Sequence, residues 1–203
     1  MFIRRIMLSL SSLCLFFAPS INDAHELWLD SVKFQYDIGD KVEISLINGT
    51  SFDGVNLPYY TRRVLELYYV IEERVDATSR LGDLPAFQQV IEQEGLAKFV
   101  YLSKMDKITY RGLKKFTDFV VEKDAEWALE KHRVAKWPTD RFSERYYRHS
   151  KALFDIGHGR GQDNTLGLEV EFTALKNPYV TDVTGGLPVL LTAKGIPIPD
   201  AQI

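Results

Sequence analysis

Four histidines, His25, His132, His149 and His158, are the side chains best suited to hold a transition metal, because neutral imidazole is the commonest nitrogen ligand near neutral pH. None has a second histidine two or four residues away, so no local chelate exists, and a multi-histidine site must be assembled from distant segments. His25 has a further resource. Arg4 and Arg5, the apolar run Ile6 to Phe17, the break at Ala18-Pro19-Ser20 and the small residue Ala24 read as an export signal. Cleavage after Ala24 makes His25 the first residue of the mature chain. Its α-amine and imidazole then bind one ion together, which no internal histidine can do. Cleavage after Ser20 fits the small-x-small rule through Ala18 and Ser20, leaves four residues ahead of His25 and removes the chelate. The plain alternative for His25 is an ordinary residue starting the first strand.

His132 closes the main helical stretch, where a cation complements the helix dipole, and that role competes with ligation. His158 stands in the loop Gly157-His158-Gly159-Arg160-Gly161-Gln162-Asp163-Asn164, with Asp155 and Asp163 nearby in sequence. His149 lies between Arg148 and Lys151, whose charges disfavour a bound cation. The expected metal ligands are therefore His25, with His132 or His158 as a second. Arg145, Tyr146, Tyr147, Arg148 and Lys151 form a dense aromatic-basic cluster. It suits cation–π packing on a sheet edge, or contacts to an anionic ligand or partner. The Gly-rich loop is followed by a strand pattern, where a phosphate cradle needs a helix N-terminus, so it reads as a connection between strands. There is no G-x-S-x-G, P-loop or H-E-x-x-H.

The elements that must position these residues are mainly strands. Val42, Ile44 and Leu46 alternate with Lys41, Glu43 and Ser45 at a period of two, and Asn48-Gly49 predicts the end of that strand. Leu27 to Phe34, Val64 to Ile71, Val75 to Leu81, Phe99 to Ser103, Leu168 to Phe172 and Pro188 to Ala193 read as further strands. Phe87 to Glu94 predicts a short helix closed by Gly95, and residues 144–151 allow a helical turn. Leu113 to His132 is the strongest helical stretch, with Phe116, Val120 and Trp127 expected to pack on the sheets. Many short strands with one main helix predict a mainly β fold, a β-sandwich with a helical insertion.

Composition bounds the function. Of 203 residues, 45% are hydrophobic and 26% charged, which places the chain among globular proteins. The net charge is −3, so no basic face for nucleic acid is expected. The single cysteine, Cys14, leaves with the signal, so the mature chain has no thiol for a disulfide or a Cys-ligated metal. No later segment has the ~20 apolar residues of a membrane helix.

Several motifs coincide with a known pattern. Ala24-His25-Glu26-Leu27-Trp28-Leu29 follows the signal, and Lys115-Phe116-Thr117-Asp118-Phe119 lies in the helical stretch. Glu144-Arg145-Tyr146-Tyr147-Arg148-His149-Ser150-Lys151-Ala152-Leu153 precedes Asp155-Ile156-Gly157; Gly167-Leu168-Glu169-Val170-Glu171 and Asn177-Pro178-Tyr179 follow. Over most of residues 25–201 the chain resembles a family of uncharacterised exported bacterial proteins often labelled nickel- or cobalt-uptake periplasmic components. The resemblance implies an immunoglobulin- or transthyretin-like β-sandwich. Similar members usually continue past Gly195-Ile196-Pro197 into a further small sandwich. The expected organisation is a signal peptide at 1–24, a β-sandwich domain with a helical insertion at 25–187, and the start of a further, truncated β-domain at 188–203. The expected function is an exported, periplasmic or secreted, non-enzymatic accessory protein that binds nickel, cobalt or copper, with an envelope transport component as partner. The alternatives are a cell-envelope module that contacts protein or glycan without metal, and a copper oxidase built on a terminal-histidine brace.

Overall fold

The computed structural model describes residues 25–201; the expected export signal, its expected cleavage site and Cys14 lie outside the described residues. Strands dominate: β1 (Glu26–Asp30), β2 (Gln35–Tyr36), β3 (Lys41–Thr50), β4 (Asp53–Leu57), β5 (Val64–Val70), β6 (Arg74–Asp76), β7 (Phe87–Val90), β8 (Gly95–Ser103) and β9 (Asp106–Tyr110) come first. Two helices follow, α1 (Leu113–Glu122) and α2 (Trp127–Val134). Then come β10 (Phe142–Tyr146), β11 (His149–Ile156), β12 (Val170–Ala174), β13 (Val189–Ala193) and β14 (Ile196–Pro197).

Two sheets make the sandwich. One has the order β1-β3-β4, with β7 also paired to β3; the other runs β2-β11-β8-β5-β6. The period-two pattern of β3 sets its inner face: Val42, Ile44 and Leu46 are buried, and Leu46 sits opposite Leu29 on β1. Phe87, Phe99 and Phe154 come from β7, β8 and β11 and are fully buried. Their rings meet edge-to-face, with centroids 4.9 Å apart for Phe87–Phe99 and 5.0 Å for Phe99–Phe154.

β7 corrects the helix expected over Phe87 to Glu94. Only Phe87 and Ile91 of that run are fully buried hydrophobics, too little apolar surface for a helix. As a strand, Phe87–Val90 instead pairs with Lys41–Ile44 and satisfies that edge of β3. Asn48-Gly49 does not end β3 either. The strand runs on to Thr50, and the turn falls at Ser51 and Phe52, both at positive φ (53° and 62°), as a two-residue hairpin requires. Gly49 is there for close approach, because a Cβ on it would collide with the Asp53 carbonyl across the pair.

β8 is buried on both faces. Ala97, Phe99 and Tyr101 face the sandwich core, whereas Val100 packs with Tyr68 and Leu168 on the far side. That far side is covered by the chain after β11. The Gly-rich loop joins β11 to β12, as its sequence context implied, and β12-β13-β14 form a separate three-stranded sheet. β12 and β13 pair from Val170↔Ala193 to Ala174↔Val189, so the division expected at 187/188 falls between two hydrogen-bonded neighbours.

The helical insertion is two helices. The chain leaves α1 through Lys123 and Asp124, the latter at φ 50°, and re-enters at Trp127. The helices do not pack on the sandwich as expected. Phe116 and Val120 join Tyr110 of β9 and Phe142 of β10 in a core of their own. Trp127, expected inside, is 69% exposed, because the break resets the helical phase and α2 turns Ala128, Leu129 and His132 to that core instead. Residues 144–151 are strand throughout except Tyr147 and Arg148, which link β10 to β11.

Candidate functional site

His25 lies at the open end of the sandwich's inner face. In the β1–β3 register Leu27 sits opposite Asn48, which makes Asn48 the diagonal neighbour of His25 on the same face. The Asn48 amide donates to His25 Nδ1 across 3.1 Å. The His25 ring is otherwise exposed. From the second sheet, the Arg148 guanidinium donates to the His25 carbonyl at 3.1 Å, and Leu29 N–H donates to Ser150 Oγ at 3.2 Å. β1 and the start of β11 are thereby joined by side chains. Arg148 also lies over the Tyr146 ring, 4.6 Å from its centroid. Two features expected to act separately, the first histidine and the aromatic-basic cluster, are one neighbourhood.

The other expected ligands are placed elsewhere. His132 is buried in the helical core against Phe116, Phe142 and Trp137, and its Nε2 donates to the Pro138 carbonyl at 2.9 Å. His158 is exposed beyond the far end of β11. That strand starts beside His25 and its eight residues span about 26 Å, so His158 belongs to the opposite end of the sandwich. Among the described residues, no group of three or more His, Cys, Asp or Glu side chains is arranged to hold a metal ion.

Lys151 is not the exposed contact residue expected from its cluster. Its ammonium is 7% exposed and meets Asp163 at 2.8 Å and Glu171 at 2.9 Å, carboxylates that are 2% and 1% exposed. It also donates to the Asn164 and Phe172 carbonyls. Glu171 in turn accepts the N–H groups of Leu166, Gly167 and Leu168, and Asp163 accepts that of Ala174. Lys98 closes the network through Ile71 O and Asn164 Oδ1, and burial pushes its pKa down while Asp163 partly offsets that. Every charge is matched and hydrogen-bonded, the condition under which a buried network holds structure together. Arg145, by contrast, is exposed on β10 opposite Lys107.

A cavity of about 430 Å³ opens between the start of β11 and β12. Tyr147, His149 and Lys151 line one side; the five consecutive residues Leu168 to Phe172 line the other. Leu168 and Glu169 lead into β12, and Val170, Glu171 and Phe172 are its first three residues. Tyr147 donates to the Glu169 carboxylate, which raises the phenol's pKa and lowers that of the acid. Sequence reasoning set His149 aside, yet it is the histidine on this cavity. The signal was available: Tyr147, His149 and Lys151 share one face if the segment is extended rather than helical. Asn48, Asp163, Glu169 and Glu171 were also missed, because their roles depend on strand register and on a loop folding back.

Among the described residues, no helix is long and apolar enough to cross a membrane. The chain belongs to a domain family of unknown function, DUF4198, whose pattern matches residues 23–203. No curated protein and no solved structure matches it.

Proposed function

We propose that this is an exported, periplasmic, non-enzymatic protein that binds a divalent transition metal as cargo, with His25 as the lead ligand through its α-amine and imidazole. The sandwich is assigned to the immunoglobulin- or transthyretin-like kind on the same resemblance. The observation that carries the reading is the exposed ring of His25, whose Nδ1 meets a neutral amide among the described residues. Nitrogen donors suit nickel, cobalt and copper. A site with few protein donors leaves coordination positions open to water or to a receiving partner, which suits an ion that is handed on to an envelope transport component. Arg148 opposes the bound charge, but at an exposed site that opposition is screened.

The test compares protein beginning at His25 with protein carrying one extra N-terminal residue. Calorimetry with copper(II) or nickel(II) is expected to give tighter binding for the first. Its affinity should fall from about pH 8 to about pH 5, because both nitrogens must lose protons to ligate. Equal affinities, or no binding by either, would remove the reading. The second reading is an envelope interaction module without metal. It draws on the Tyr146–Arg148 stack and the neighbouring cavity of about 430 Å³.

A further inference from the structure

We infer that Asn48 is a metal ligand, its side-chain oxygen completing a three-donor site with the amine and Nδ1 of His25. The inference rests on the terminal-histidine reading above and adds to it a residue from another strand. The nitrogen of a terminal histidine that can close a small ring with its own α-amine is Nδ1, and Nδ1 is the atom that Asn48 meets, at 3.1 Å. An ion bound at that nitrogen therefore lies within reach of the Asn48 amide.

In the metal-free arrangement Asn48 turns its NH₂ toward the ring. Half a turn of the amide group exchanges NH₂ for the carbonyl oxygen, and the two ends have nearly the same shape. The ion takes the lone-pair position that the NH₂ occupied, and a shift of the Asn48 side chain about its own bonds sets the oxygen beside that line, where it can ligate. Nitrogen and oxygen donors together suit the tetragonal geometries of nickel(II) and copper(II). Neighbouring positions point the same way. Asn48 is anchored between β1 and β4, opposite Leu27 on one side and Val55 on the other, so its Cβ is fixed. Arg148 holds the His25 carbonyl from the second sheet, which fixes the backbone that carries the amine. Arg148 acts as a positioning residue, and its guanidinium donates no electron pair to the ion.

The opposite role for Asn48 would be a gate. Its NH₂ occupies the lone pair that the ion needs, and removing it would then strengthen binding. The two roles differ in sign. Protein beginning at His25 is compared with Asn48→Ala and Asn48→Asp by calorimetry with nickel(II) and copper(II). The copper(II) electron paramagnetic resonance spectrum reports the donor set, and circular dichroism checks the fold of each variant. Asn48→Ala is expected to weaken binding about tenfold and Asn48→Asp, which keeps an oxygen in place and adds charge, to tighten it about tenfold. The copper spectrum should differ between native protein and Asn48→Ala. Unchanged or tighter binding by Asn48→Ala, with an unchanged spectrum, overturns the role of Asn48 and leaves the terminal chelate standing. Protein beginning at His25 that binds no more tightly than the one-residue extension overturns the chelate itself.

Discussion

The sandwich and the small C-terminal sheet alternate in sequence in the same way and are built in opposite senses. On β3 the apolar residues Val42, Ile44 and Leu46 point inward and are buried. On β12 the apolar residues Val170 and Phe172 point outward, 46% and 42% exposed, while Glu171 and Thr173, which alternate with them, are buried. The first sheet is held by apolar contact. The second is clamped to the outer face of β8 and β11 by the Lys151–Asp163–Glu171 network, with Leu168 as its main apolar contact. An alternating pattern therefore fixes that a strand has two unlike faces. Which face is inside depends on the partners each face meets.

Three substitutions test that contrast. The largest effect is expected at the sandwich core. Phe99→Ala removes a fully buried ring that touches Tyr69, Phe87 and Phe154, and should cost about 3–5 kcal/mol in chemical denaturation. A cost near 1 kcal/mol would mean that the two sheets are not held by their aromatic interior. Next, Glu171→Ala leaves Lys151 with one carboxylate and orphans three loop N–H groups, and should cost about 3 kcal/mol. Its signature is local. Hydrogen exchange should quicken for the amides of 166–174 and their β13 partners while β3 and β8 keep their protection. Uniform quickening across the molecule would erase the distinction between the two regions. The smallest effect is expected at Trp127, whose replacement by Ala should change stability by no more than about 0.5 kcal/mol. A loss of several kcal/mol there would restore the single continuous helix that its sequence pattern implies.

The sequence carried the strands whose alternation was long and whose neighbours were polar, β3 above all. It carried the existence of helix near Phe116 and Val120, but not the break after Lys123, because Asp124 is compatible with either a helix interior or a left-handed cap. Phe87 to Glu94 suits a short helix in sequence because the four residues that form the strand, Phe87 to Val90, are too few to separate the two periods; the strand character comes from the β3 edge it fills. At the site, His25 stands out in sequence through its place behind the expected export signal. Asn48 did not, because Asn-Gly is the commonest hairpin signature, and only register shows that the turn lies three residues later, at Ser51-Phe52. Lys151 looked like surface charge because its carboxylates are 12 and 20 residues away along a loop that must first fold back.

The seam between β1 and β11 has a consequence for the order in which the molecule assembles. β1 finds β3 within about twenty residues of chain, and His25 meets Asn48 at a separation of 23. The Leu29–Ser150 and His25–Arg148 bonds span separations of 121 and 123 residues. Closing contacts so far apart is slow relative to closing a hairpin. A chain emerging amino end first thus carries β1 paired to β3 alone, its other flank open, until the whole helical insertion has followed and Arg148 arrives. The last strand of the sandwich to be made is the one whose lead-in locks His25 in place.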